Sequence, residues 1–409
     1  MFKPRLLPKL LWILIAIIVI FVFFLVLFSE PQDINHYLPT HQLSSIRTYD
    51  SKALNIIRHR LQRIRPQRVL KQPIKHVYPR RQNMETCRPL FGQIGVFVAV
   101  NSDHEQRLYK IAQASLKCYL KSTNYSYFYV NVDNDERTRG LCNQSNIYYK
   151  RHCVGSYYLN DVDWMLFLDG DIGVVNPNHC IEEWIDDRVD MLFYERFFNW
   201  EIMAGSFMMK NTEQSRKFLL DWANMEQQEF DGFTGYDNGV LQIQILKSAL
   251  PNAVAEIAAC DAIYHRSKTL EQYYDYVTCV KLQLGAVRVF PGVLRIFRRG
   301  HGWARDGQLT GNRWSDVDFL MHAWKNSNLN ATWYDANVFK TIPNPEECGD
   351  GYKGWNWLEE KKSTVDETRK TLAAFEIGVA RGYPKEGRDL PHLIEADVRN
   401  CYPDCDRFT

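Results

Sequence analysis

The chain has no acidic residue before Glu30, no cysteine before Cys87, and no charged or strongly polar residue from Leu10 to Phe28. It also lacks a C-x-x-C pair, an internal repeat and any low-complexity tract. The missing C-x-x-C spacing argues against zinc-ribbon and thioredoxin-type chemistry, and the missing repeat against a solenoid. Strong net charge is missing too: the 409 residues sum to +2. That small figure hides an asymmetry, because residues 1–28 carry +3 and residues 29–90 carry +8, leaving −9 for residues 91–409. A mildly acidic globule on a basic stalk does not fit nucleic acid as the globule's partner.

The uncharged run of nineteen residues is close to the roughly 20 needed to span a bilayer. A cleavable signal peptide would have an apolar core of about 7 to 15 residues and a small-x-small site, whereas bulky Leu25, Val26, Leu27 and Phe28 run directly into Ser29. Lys3, Arg5 and Lys9 precede the run, and the first cation after it is Arg47. The positive-inside rule therefore predicts a cytosolic tail at 1–9, a signal anchor at 10–28 and a lumenal remainder, a single-pass type II arrangement. All ten cysteines fall beyond the anchor and their number is even, so several disulfides are expected in an oxidising compartment. Sequons at Asn124, Asn143 and Asn330 permit glycosylation.

From 29 to 90 the chain reads as a basic stem broken by Pro31, Pro39, Pro66, Pro73 and Pro79. Leu54, Ile57, Leu61 and Ile64 give fewer than two heptads, too little for a coiled coil. A short amphipathic helix and a solvated tether both fit, and the stem is where a homodimer contact would form. The globule spans 91–409, with a C-terminal extension from about 331. Its first strand is Ile94–Val100, followed by a helix with Leu108, Ile111, Ala112, Ser115 and Tyr119 on one face, capped by Asp103 with Gln106. A second strand covers 127–132. Strand, helix, strand and a further apolar strand is the pattern of an α/β fold, where ligands gather beyond the carboxyl ends of parallel strands.

That further strand is Trp164–Leu168, and it ends on Asp169-Gly170-Asp171. Side chains at i and i+2 leave a strand on the same face, so both carboxylates aim at one point. Two such charges at the edge of an apolar core cost several kcal/mol without compensation. Hard carboxylate oxygens suit Mn²⁺ or Mg²⁺, whose open positions suit phosphate oxygens. Taken alone, D-x-D also fits a helix cap with a solvated acid.

The block L-F-L-D-G-D-I-G-V-V-N-P, then R-F-F-N-W-E-I-M-A-G-S-F at 196–207 and G-Y-D-N-G at 235–239, resembles a nematode-expanded family of predicted nucleotide-diphospho-sugar transferases, long catalogued as a domain of unknown function. More distantly it is similar to Golgi α-galactosyl and α-xylosyl transferases of GT-A fold. The resemblance covers roughly 92–330. It implies a GT-A-like, Rossmann-like domain, a Golgi membrane glycosyltransferase, a nucleotide-sugar donor, a glycan or glycoprotein acceptor, and Mn²⁺ or Mg²⁺.

By that resemblance Asp171 binds the metal and Asp169 the metal or the donor's ribose. A third ligand comes from His322, with Lys325 one turn on as a donor contact; His301 is the competing histidine. Asp237 becomes the leading acid beside the donor sugar, with Asn238 next to it, and Glu201 the runner-up. From the residues themselves, small Gly205 would let a sugar approach the backbone, and Arg151 reads either as a donor-diphosphate contact or as a solvated charge. G-Y-D-N-G by composition alone predicts a turn, and retaining and inverting transfer both remain open, with the distant relatives leaning to retention. Asn211 with Gln214 predicts a helix cap, and residues 356–381 an amphipathic helix. Arg295, Arg298, Arg299 and Arg305 read either as a diphosphate clamp or as a solvated face. The many C-terminal tryptophans read as sugar platforms or as packing. Two alternatives stand beside the transferase: a catalytically silent lumenal carbohydrate-binding or scaffold protein, and a phosphohydrolase of the haloacid-dehalogenase kind. The latter fold wants its acid pair on the first strand, whereas about 75 residues of α/β pattern precede it here.

Overall fold

The computed structural model describes residues 86–101, 107–325, 338–382 and 396–406. The apolar run at 10–28, the stem through residue 85, the Asp103–Gln106 capping signal and the Asn330 sequon lie outside the described residues. Among the described residues no helix is long and apolar enough to cross a membrane.

Seven strands form one sheet: β1 Ile94–Val100, β2 Ser126–Asn131, β3 Trp164–Leu168, β5 Met191–Tyr194, β6 Ser206–Lys210, β7 Val289–Phe290 and β8 Leu294–Phe297. Their spatial order is β2-β1-β3-β6-β5-β8-β7. β2, β1 and β3 run parallel, as do β5 and β8, while β6 is antiparallel to both its neighbours and β7 to β8. The α/β expectation holds, with one antiparallel strand at the centre.

Side chains alternate across this sheet and feed two separate cores. Val96 and Val98 of β1, Leu166 and Leu168 of β3, Leu192 of β5 and Met208 of β6 lie on one face. There they meet helix α1, Lys110–Leu120. Phe97, Met165, Phe167, Phe193, Phe207 and Met209 lie on the other. They pack against α2 Ile147–Tyr158, α3 Glu213–Asn224, α4 Tyr236–Ala249, α5 Val254–Tyr264 and α6 Leu270–Leu284. Burial on both faces is why these strands read as continuous apolar runs.

A second, three-stranded sheet has the order β4-β10-β9, from Gly173–Val174, Leu320–His322 and Ala304–Asp306. Its β4 strand follows directly on the D-G-D turn, beginning two residues after Asp171. All ten cysteines pair: Cys87–Cys180, Cys118–Cys348, Cys142–Cys153, Cys260–Cys279 and Cys401–Cys405. The 118–348 bond ties the C-terminal segment to α1, closing a long loop and so restricting the unfolded chain.

Four local expectations are corrected. The cap of α3 is Thr212, whose hydroxyl accepts from Ser215 N, while the Asn211 side chain donates to Val162 O. G-Y-D-N-G is no loop: Gly235 takes a left-handed backbone (φ 66°) as N-cap, and Asp237 and Asn238 sit in the first turn of α4. The last helix, α7 Val365–Gly382, begins nine residues late, because Trp357 and Lys362 make β-bridges instead. The arginines are taken up by carboxylates of the chain itself, with Arg295, Arg299 and Arg305 buried and Arg298 partly exposed. Arg295 and Arg298 meet Asp186, Asp397 and Asp406, Arg299 meets Glu376 and Asp397, and Arg305 meets Asp318. Trp303, Trp314, Trp324 and Trp355 are buried packing.

Candidate functional site

The D-G-D turn is held from several sides. Asp169 N donates to Gly205 O at 2.8 Å and Ile172 N to Asp169 O at 3.1 Å. Gln113 of α1 donates to Gly170 O at 2.8 Å and accepts from the Tyr127 hydroxyl at 2.7 Å. A Cβ on Gly170 would come within 2.5 Å of the Tyr109 ring, so only glycine fits between the two acids. Trp324 N donates to Asp171 O at 2.9 Å, anchoring the segment that carries His322.

β10 and β9 pair in parallel with His322 opposite Asp306. The His322 Nδ1 lies 2.6 Å from Asp306 Oδ1, which leaves Nε2 facing the acids, 3.5 Å from Asp171 Oδ1 and 3.9 Å from Asp169 Oδ2. Atoms of Asp169, Asp171 and His322 that can bind a metal all lie within 4.8 Å of one another. Two carboxylates and an imidazole in that space fit Mn²⁺ or Mg²⁺, with Asp306 fixing which ring nitrogen is free. Burial opposes a charged His322, but Asp171, Asp306 and Asp169 outweigh it and push its pKa up to about 9 without an ion. Burial, with Asp169 alongside, pushes Asp171 up even though His322 opposes it.

Arg151 of α2 bridges the next pair of acids. Its guanidinium donates to Asp169 and, at 2.6 Å, to Asp237, and also reaches Ala204 O at 3.2 Å. Asp237 is 1% exposed. Its second partner is His152 Nε2 at 3.0 Å, on a ring stacked 3.6 Å from Trp222, whose indole N–H in turn donates to Asp237 O. Burial would raise this carboxyl, yet Arg151 and His152 hold it below the usual carboxylate range. Burial in turn pushes His152 down to about 4, so its ring is neutral at physiological pH.

The remaining sequence candidates divide. Asn238 Oδ1 accepts from Ala204 N at 3.1 Å, and a Cβ on Gly205 would sit 2.4 Å from Asp169 Oδ2, so both shape the wall beside Asp169. Lys325 is half-buried three residues after His322, and its charge acts on Asp171. Glu201 stands apart. It is buried, accepts from the Tyr273 hydroxyl and from Arg196 Nη1 at 3.3 Å, and touches the cluster through Arg196, which lies 3.8 Å from Asp306. Burial pushes Glu201 up despite Arg196. His301 is bound to Arg299 O and packs on Tyr402, away from the acid cluster. Sequence reasoning missed Asp306, Arg196, His152 and Gln113. Asp306 in R-D-G reads as a loop acid, and its partner is sixteen residues away across a strand pair.

No curated protein matches the sequence. Among solved structures, the crystal structure of a glycosyltransferase involved in the glycosylation of the major capsid of PBCV-1 aligns over 56% of this chain and 93% of that one, at 11% identity and a TM-score of 0.34. The family profile described as "Protein of unknown function, DUF273" matches residues 116–337, more than half of the chain, from α1 through the D-G-D turn and Asp237 to His322. The chain belongs to that family.

Proposed function

We propose that the chain is a metal-assisted glycosyltransferase that moves a sugar from a nucleotide-sugar donor to a glycan or glycoprotein acceptor. The observation that carries this reading is the convergence of Asp169, Asp171 and His322 beyond the end of β3, with Arg151 linking that cluster to Asp237. A cation bound by these three groups would neutralise charge developing on a departing nucleoside diphosphate. Asp306 keeps the His322 ring turned to the acids, and Gly205 leaves room for the Asp169 carboxylate. Lys325, at the edge of the cluster, adds a positive charge toward the diphosphate.

Asp237 stays ionised because Arg151 and His152 favour its charge, which makes it a poor general base at neutral pH. The same charge suits orientation of donor-sugar hydroxyls and stabilisation of an oxocarbenium-like centre, which supports retention over inversion. Glu201, reached only through Arg196 and Asp306, is the weaker candidate. The third-strand position of the acid pair, and the Arg151 bond on Asp169, speak against a haloacid-dehalogenase phosphohydrolase. The uncharged run at 10–28 supports a type II anchor, and with it a Golgi address.

The test is turnover by the full chain with a panel of uridine- and guanosine-diphosphate sugars and Mn²⁺. The expected result is nucleoside diphosphate release that rises when a mixed glycan acceptor is added. Release of inorganic phosphate instead would overturn the transferase reading. Metal-dependent donor binding without any release would favour the silent carbohydrate-binding alternative.

A further inference from the structure

Two tyrosines at the rim of the site have no role in the account above. Tyr148 opens α2 one turn before Arg151, and Tyr236 immediately precedes Asp237. They come from segments almost ninety residues apart, yet their rings lie 5.4 Å apart at a 31° tilt. They are 43% and 52% exposed, whereas among the described residues Phe233 and Tyr352 are the other exposed large aromatics. The Arg151 guanidinium lies 6.0 Å from the centre of the Tyr148 ring. Asp169, Arg151, Tyr148 and Tyr236 therefore form a continuous path from the acid cluster to the surface. The Tyr148 ring thus stands over the arginine that bonds both Asp169 and Asp237.

The backbone also bears on Tyr236. Its φ of 51° is left-handed, a conformation that a bulky side chain rarely adopts. Strain of this kind persists where the surroundings over-determine it, and it clusters at ligand contacts. Gly235 and Tyr236 together turn the chain so that Asp237 points inward and the Tyr236 ring outward.

We propose that Tyr148 and Tyr236 form an acceptor subsite on which a pyranose ring stacks. This rests on the transferase reading, which puts the donor's sugar beside Asp237 and Arg151. The tyrosines stand on that side of the metal cluster, Tyr148 beside Arg151 and Tyr236 next in sequence to Asp237. A tyrosine offers an apolar face and a polar edge, which matches a sugar's C–H face and hydroxyl rim.

Saturation-transfer NMR on the full chain tests this, with diamagnetic Mg²⁺ and uridine or guanosine diphosphate present. The probes are the methyl pyranosides of galactose, glucose, mannose, xylose and N-acetylglucosamine. At least one should receive saturation, and combining Tyr148→Ala with Tyr236→Gly should weaken its binding about tenfold. Tyr148→Phe, which keeps the ring, should retain binding. Calorimetry on the double variant should show metal-dependent nucleotide affinity within about twofold of the parent, which also confirms folding. Normal nucleotide binding with no pyranoside contact in the parent chain would overturn the subsite while sparing the transferase reading. An equal loss of nucleotide and pyranoside binding in the double variant would assign the pair to the nucleobase and also overturn it. Absence of metal-dependent nucleotide binding in the parent chain is the separate failure, that of the transferase reading itself.

Discussion

Two clusters of buried charge among the described residues are built in opposite ways. Where residues 396–406 dock on β5 and β8, Lys281, Arg288, Arg295, Arg298 and Arg299, with Arg188 at the rim, meet Glu195, Asp186, Glu376, Asp397 and Asp406, six cations on five carboxylates. At the end of β3, Asp169, Asp171, Asp237, Asp306 and Glu201 face two guanidiniums, Arg151 and Arg196, with His322 among them and Lys325 at the edge. The first cluster sets at least one cation on every carboxylate and acts as a clasp. The second keeps an excess of negative charge around a gap where no hydrogen bond joins His322 to Asp169. Uncompensated carboxylates cost stability unless something positive arrives. The contrast separates an ion network balanced within itself from a cluster with an excess of carboxylates, without appeal to the sequence motif.

Breaking the clasp should have the largest effect on stability. Arg299 is 2% exposed and bonds Asp397 at 2.9 Å and Glu376 at 2.8 Å. Arg299→Met takes away the cation that Glu376 pairs with and the closest of the three on Asp397, which keeps Arg288 and Arg298, and should cost about 3–5 kcal/mol. Thermal unfolding should show this as a clear fall in Tm, with the Mn²⁺ affinity of the remaining folded protein unchanged.

Acid should act on the clasp next. Burial opposes the charged forms of Asp397, Glu195 and Asp186, but Arg299, Arg288 and Arg295 with Lys281 and Arg188 outweigh it and hold all three below their ordinary values. Folded pKa values depressed in this way contribute stability that is present above the unfolded values, 3.8 for aspartate and 4.5 for glutamate, and is lost as pH falls through and below them. Glu376, raised by burial, works in the opposite direction. Unfolding midpoints should therefore hold between pH 7 and 5 and drop steeply toward pH 3; a flat profile would remove the clasp from the stability account.

A smaller and more local effect is expected at Asp306. Asp306→Ala frees the His322 ring and should weaken Mn²⁺ binding about 10–100-fold, with only a modest change in Tm. Titration calorimetry of the variant checks this, and unchanged affinity would take His322 out of the metal site.

The two clusters were not equally legible in the sequence. β1 and β3 could be read to the residue, because strands buried on both faces are plain apolar runs with turn signals at their ends. Asp169 and Asp171 were visible because they terminate such a run two residues apart. The helix carrying Asp237 was not, since α4 is buried nearly all round, from Gly239 to Leu246, and so shows no apolar stripe. Turn-rich G-Y-D-N-G hid its start. The arginines of the clasp could not be told from a phosphate clamp, because their partners Asp397 and Asp406 lie about a hundred residues away. Antiparallel β6 at the sheet centre likewise depends on pairing across the chain, which no local pattern encodes.

The most direct test of the contrast is calorimetry of the full chain with uridine and guanosine diphosphates, with and without Mn²⁺, beside Asp171→Asn. The account predicts that one nucleotide binds only with the metal, and that the variant loses this binding while its Tm stays at or above the parent's, since a buried, crowded carboxylate has been removed. Equal nucleotide affinity with and without Mn²⁺, or unchanged metal-dependent binding in the variant, would contradict it.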